Sequence, residues 1–236
     1  MKSSNKGKDF CVFALPGLFC FLAVVMVPFI YGIYLTLTDW NGVSSVKNFV
    51  GLSNFAAVMR DAQFWKSLLL TFKYVIAVVV LVNVIAFLLA YILTRGIKGQ
   101  NFFRAGFFTP NLIGGIVLGY VWQFVFNNVL IKMTNNISLL SKTNTAMMAI
   151  IVVYIWQYAG YIMLIYVTGL TQVPKDVLEA SQIDGANAVT TLFKIKIPMI
   201  AATITICTFL TLTSAFKQFD VNMALTNGTG LSLIHI

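Results

Sequence analysis

From Phe10 to Thr38 the chain runs for 29 residues without a charged side chain. A helix needs about 20 mainly apolar residues to cross a bilayer. A cleaved signal peptide has an apolar region of only about 7–15, so residues 10–38 read as a retained first span. Four further stretches meet or nearly meet the same requirement, at 74–94, 105–126, 146–170 and 199–216. Hydrophobic residues make up 59% of the chain and charged residues 10%, with a mean hydropathy of +0.87. A soluble domain carries about 25% charged residues, so a water-soluble fold would lack polar surface. The fold class expected is an all-α integral membrane protein, a polytopic helical bundle with five spans.

The net charge is +9, but the basic residues are scattered and flank apolar segments. They read as membrane-flanking charges, and no nucleic-acid partner is expected. Lys2, Lys6 and Lys8 precede the first span, and Arg95, Lys98 and Arg104 follow the second with no acid among them. Placing both groups in the cytoplasm makes residues 1–9 a cytoplasmic N-terminus. It also puts the polar loop 173–198 inside, for nine basic residues inside against seven outside or at the outer edge. Cys11, Cys20 and Cys207 lie within apolar stretches and show no metal-type spacing, so buried thiols are expected and no metal site.

The spans differ in character. The second, YVIAVVVLVNVIAFLLAYILT, is apolar on every face but for Asn83 and reads as scaffold. The third holds Pro110, Asn111, Gly114, Gly115 and Gly119. The Gly-x3-Gly spacing points to close helix packing, and proline with several glycines to an irregular helix buried in protein or lining a cavity. The fourth gathers Tyr154, Trp156, Gln157, Tyr158 and Tyr161 mid-helix, away from the membrane interfaces where aromatics collect. Rings beside amides suit carbohydrate as well as plain helix packing. Asn111, Tyr154, Gln157 and Tyr158 are the candidates for a substrate path. Thr203, Thr205, Thr208, Thr211 and Thr213 in the fifth span are expected to bond back to their own helix carbonyls.

No GxxxxGK[ST], HExxH or GxSxG occurs, and the lone histidine is His235, so no catalytic residue is assigned. The sharpest signal is the 26-residue polar run VPKDVLEASQIDGANAVTTLFKIKIP, Val173–Pro198, which carries three of the seven carboxylates. Pro174 fits a first helical position, Asp176 and Glu179 the first turns, and Gly185 a C-terminal stop. That is a helix of roughly ten residues, too short to stand alone in water. A second short helix follows with Val189, Leu192 and Phe193 on one face, and Pro198 opens the next span. A rigid knob at the membrane surface needs something to pack against. Headgroups are one choice, though Glu179 and Asp184 disfavour an anionic surface.

The spacing E-A-S-x3-G-x9-I-x-I-P from Glu179 to Pro198 closely resembles the EAA loop, E-A-A-x3-G-x9-I-x-L-P, of permease subunits in ATP-binding-cassette (ABC) importers. Ser181 and Ile197 are the departures. The segments FVGLSNFAAVMRDAQFWKSLLLTFKY, RGIKGQNFFRAGFFTPNLIGGIVLGYVWQFVF and FKQFDVNMALTNG resemble the sugar-importer branch, near the maltose and glycerol-phosphate permeases. The resemblance implies a type I importer permease domain over residues 10–230 in a bacterial inner membrane, whose coupling loop 173–198 sits in an ATPase cleft. Glu179, Ala180, Ser181, Asp184, Gly185, Ile195 and Pro198 would couple ATPase closure to rocking of the spans. Within that set Glu179 is an anchor, Ala180 and Ser181 allow close approach, and Gly185 makes a turn no larger residue fits.

The partners implied are a second permease subunit, an ABC ATPase dimer, an extracellular solute-binding protein and membrane lipid. No cofactor is expected on this chain, since ATP and Mg²⁺ would belong to the ATPase. The family continues through a sixth core span, so the expectation is a C-terminally truncated permease. Residues 231–236, LSLIHI, resemble one translation frame of a sequencing-library adapter, which would leave His235 without a role. Two other readings stand beside the sugar importer: a permease for an amino acid, polyamine or anion, and a channel or membrane enzyme needing no ATPase.

Overall fold

The structure, a computed structural model, describes residues 6–132, 140, 143–218 and 220–226. The expectation for residues 231–236 lies outside the described residues. The chain divides into two compact units, residues 1–65 and 66–236.

In the first unit, α1 (Phe10–Thr36) is an apolar helix long enough to span, with no buried side chain. A helix that is apolar all round is suited to lipid or to packing among other helices. The loop after it is tied by local polar contacts. Asn54 Nδ2 donates to the Thr36 carbonyl at 2.9 Å and to the Thr38 carbonyl at 2.8 Å. Asp39 accepts from the Asn48 side chain at 2.9 Å and its backbone N–H at 2.8 Å. Those two donors, the side chain first, hold the Asp39 carboxyl below its ordinary pKa. α2 (Ser53–Arg60) follows.

α3 (Ala62–Leu93) is one continuous helix of 32 residues. It begins well before the apolar stretch at 74–94, because nothing in AQFWKSLLLTFKY breaks a helix; Lys66 and Lys73 therefore ride on it. Its buried stripe, Val78, Val82, Ala86 and Ala90, repeats every four residues, the ridge spacing of packed helices. A tight loop with Gly96 and Gly99 at φ of 80° and 78° leads to α4 (Gln100–Phe108).

The apolar stretch at 105–126 is not one helix. α4 gives way to a 3₁₀ turn at Thr109–Leu112, Ile113 and Gly114 are extended, and a new helix starts at Gly115. Pro110 and the glycine pair end one helix and begin the next. α5 (Gly115–Lys132) carries the spanning candidate. α6 (Thr143–Thr171) is the most buried of the apolar helices. α7 (Lys175–Ile183) and α8 (Ala188–Met199) form the polar loop, then the chain bends 71° into α9 (Ala201–Phe216). α10 (Asp220–Thr226) closes the described residues.

Small residues set the spacing around α6 and α5. A Cβ on Gly160 of α6 would run into the Phe107 carbonyl of α4. A Cβ on Gly169 would lie 2.6 Å from Thr203 Oγ1 of α9, and one on Gly119 of α5 would lie 2.5 Å from Ala224 Cβ of α10. The Gly115–Gly119 pair is therefore the seat of α10, the close packing that its spacing implies.

Asn83, the one polar residue within the second apolar stretch, is the centre of a three-helix link. Tyr166 on α6 donates to its Oδ1 at 2.8 Å. Its Nδ2 donates to the Val79 carbonyl at 2.8 Å and to Thr211 Oγ1 on α9 at 3.3 Å. Thr205, Thr211 and Thr213 each bond back to a carbonyl four residues earlier, as expected.

Candidate functional site

Two features carry chemistry, a polar cavity among the spans and the elbow formed by α7 and α8.

The cavity holds about 200 Å³ and is lined by Asn111, Tyr154, Gln157, Tyr158, Ser214 and Lys217, with Gly115, Gln218, Asp220 and Val221 completing it. All four substrate-path candidates meet here. Asn111 comes from the 3₁₀ break, and the other three project from α6. Two of the mid-helix aromatics turn elsewhere. Trp156 packs edge-on against Trp122 at 5.6 Å between centroids, and Tyr161 leans on Tyr158 at 5.4 Å without reaching the cavity wall. Tyr154 and Tyr158 lie ring against ring at 5.2 Å. Ser214 stands beside both hydroxyls, and that of Tyr154 is buried. Gln157 has a second duty, donating to the Ile113 carbonyl at 3.0 Å and so satisfying a backbone group freed by the break in the third stretch.

Ser214, Lys217, Gln218 and Asp220 are lining residues that the sequence reading missed. Three of them lie between Ser214 and Gln218, at the C-terminal end of α9. Their signal was the run of polar residues there, which became significant only once α9 was known to face α6.

In the elbow, Pro174 is the N-cap of α7 in an extended conformation, one residue earlier than the first-helical position expected of it. The Gly185 N–H bonds the Gln182 carbonyl at 3.1 Å and the Ala186 N–H bonds the Ser181 carbonyl at 2.9 Å. That pair is a Schellman cap with Gly185 at its left-handed position, φ +79°. No heavy atom lies within 4 Å of a Cβ placed on Gly185. Glycine is required there by the torsion, not by crowding. Asn187 then caps α8, accepting from the Thr190 N–H at 2.8 Å.

Glu179, Ala180, Asp184 and Gly185 are exposed, Ile195 is half-buried, and Pro198 is exposed two residues before the bend at Ile200. Pro198 thus sits inside α8 instead of opening the span. Ser181 is buried, its hydroxyl bonded to the Leu178 carbonyl at 2.7 Å. It faces this chain and is not free for close approach to another. Val189 and Phe193 are exposed and Leu192 is half-buried. Ile183 went unnoticed in the sequence; at 87% exposed it is an apolar tip beside Glu179 and Asp184.

The family described as binding-protein-dependent transport system inner membrane component matches residues 83–236. The chain belongs to that family. This inner membrane component is 40% identical over 233 residues to the probable starch degradation products transport system permease protein AmyD of Thermoanaerobacterium thermosulfurigenes, covering 96% of this chain and 80% of the relative. It is 31% identical over 209 residues to the multiple sugar-binding transport system permease protein MsmF of Streptococcus mutans, covering 85% and 72%. Its fold is similar to a chain of a bacterial alginate ABC transporter crystallised with an alginate pentasaccharide-bound periplasmic protein, at a TM-score of 0.80 and 19% identity. That likeness covers 96% of this chain and 80% of the other. The all-α membrane permease fold is therefore the one the sequence implied.

Proposed function

We propose that this chain is the transmembrane permease subunit of an ATP-driven carbohydrate importer, and that its elbow transmits closure of a separate ATPase to the solute path. The observation that carries the reading is the elbow itself. A nine-residue helix is ended by a Schellman turn, anchored on its buried side by Ser181 and Leu178, and presents Glu179, Ile183 and Asp184 outward. An acidic, apolar-tipped helix this short gains stability by docking on protein. It is a poor partner for an anionic bilayer.

The cavity supports the solute side. Aromatic rings, amides and the Ser214 hydroxyl are groups that sugars use, through C–H stacking and hydroxyl hydrogen bonds. Its volume is below the roughly 300–1,000 Å³ of a complete small-molecule site, which fits a half-site completed by a second permease subunit. The relatives named for starch degradation products and multiple sugars favour carbohydrate over amino acids, polyamines or anions. ATP and Mg²⁺ would be bound by the partner ATPase, with hydrolysis there and none on this chain. The N-terminus and the elbow share the cytoplasmic side in this reading, because the basic residues gather there.

The test is made on the assembled transporter in proteoliposomes. Ile183→Cys should crosslink to the ATPase. Gly185→Val should leave membrane insertion intact and abolish ATP-driven uptake. Absence of any ATPase crosslink, or uptake undiminished in Gly185→Val, would overturn the proposal.

A further inference from the structure

A second cavity lies apart from the solute path. It is a groove of about 320 Å³ walled by Phe87 and Leu88 of α3, Leu192, Phe193 and Ile197 of α8, and Ile204 of α9. Its polar residues, Asn83 and Tyr166, bond each other, so they leave the lining apolar. The rings of Tyr166, Phe87 and Tyr91 lead from this floor to one end. Phe87 meets Tyr166 edge-on at 5.6 Å and lies nearly parallel to Tyr91 at 6.3 Å.

At that end Tyr91 carries two cations. Arg95 Nη2 donates to the Tyr91 hydroxyl at 2.7 Å, with its guanidinium carbon 4.4 Å from the ring centroid, and Lys196 Nζ lies 5.4 Å from the same centroid. The two charges are thus at most about 10 Å apart, within the screening length of about 0.1 M salt. Among the described residues neither is paired with a carboxylate. Two cations beside one ring, neither paired with an acid among the described residues, attract an anion.

The dimensions select the anion. Asn83 to Arg95 is 12 residues of chain, a rise of about 18 Å in a helix. One leaflet of the hydrocarbon core is about 15 Å deep. Arg95 stands just beyond the end of α3 and Lys196 just before the bend into α9, so the cations lie at headgroup level and the groove runs inward from them. We infer that this groove binds one anionic phospholipid, its acyl chain along Phe87, Leu192 and Ile204 and its phosphate between Arg95 and Lys196. The inference depends on α3 and α9 lying in the bilayer and not on solute transport.

The test is native mass spectrometry of the full-length chain released from nanodiscs containing equal phosphatidylglycerol and phosphatidylcholine. One phosphatidylglycerol should survive delipidation that strips phosphatidylcholine. Arg95→Gln with Lys196→Gln should lower that preference at least tenfold. Ile204→Trp, which fills the groove and leaves both cations, should also release the lipid. Arg95 is exposed, so Arg95→Gln alone keeps the test informative if the double variant misfolds; it should weaken retention several-fold. Equal retention of both lipids by the unaltered chain, or retention unchanged in these variants, would overturn the site. So would a Phe193→Cys crosslink that captures a neighbouring permease chain in place of a photoreactive lipid.

Discussion

At Gly160, in the middle of α6, the space beside the backbone is taken, whereas at Gly185, in the elbow, the space is open and the backbone is unusual. A Cβ on Gly160 meets the Phe107 carbonyl; one on Gly185 meets nothing within 4 Å, but φ there is +79°. The span region uses glycine to let helices touch, and the elbow uses it to turn the chain. The membrane bundle is therefore specified by what lies opposite each residue. The turn of the elbow is specified by its own torsions and caps, while Ser181 and Leu178 anchor it to the rest of the chain.

The largest effect belongs to Gly160. The obstacle is backbone, so no side chain can move aside, and α4 must shift against α6. Gly160→Ala should cost about 3 kcal/mol or more, read as a lowered melting temperature of the detergent-solubilised chain or as its loss from the membrane. Unchanged thermal stability would break the contrast at its strong end.

Gly119 tests the same contrast one step down. Its hypothetical Cβ lies 2.5 Å from Ala224 Cβ, a side chain, and 3.1 Å from the Val221 carbonyl. Gly119→Ala should cost about 2 kcal/mol, and adding Ala224→Gly should restore part of it. The residual loss reports the backbone contacts. No restoration would mean that α10 does not sit on α5 as the structure has it. Gly160→Ala, by comparison, should resist rescue by any single truncation on α4.

This difference also explains what was legible in the sequence. Much of the elbow could be read from the sequence, since Asp176 and Gly185 act within a turn of where they stand. The misreadings there are Pro174, which is the N-cap and not the first helical residue, Pro198, which lies inside α8 and does not open the span, and Ser181, whose facing is decided by tertiary packing. Long apolar runs announced the spans, and Pro110 with the glycines announced the irregular third one, but nothing marked the start of α3 at Ala62, where a polar helical segment competes with hydropathy. The cavity was half legible. Tyr154, Gln157 and Tyr158 stood out as polar residues at mid-helix, whereas Ser214 and Lys217 lie more than 50 residues away on a helix whose rotation no local pattern fixes. Asn83 read as an isolated defect in a scaffold because both of its cross-helix partners, Tyr166 and Thr211, come from distant helices.

The smallest stability effect, and the most discriminating, is at Gly185. Left-handed backbone costs a side-chain-bearing residue about 1–2 kcal/mol, with asparagine the best tolerated. Gly185→Ala should therefore destabilise the chain by about 1 kcal/mol and Gly185→Asn by less, a difference visible in paired melting curves. If crowding were the constraint the order would reverse, because asparagine is the larger residue. Uptake measured on the same two variants separates torsion from contact: an elbow needing only its turn keeps transport in Gly185→Asn. An elbow whose partner presses on Gly185 itself loses transport in both variants, and only that result would return close approach, instead of the left-handed turn, as the reason for glycine at this position.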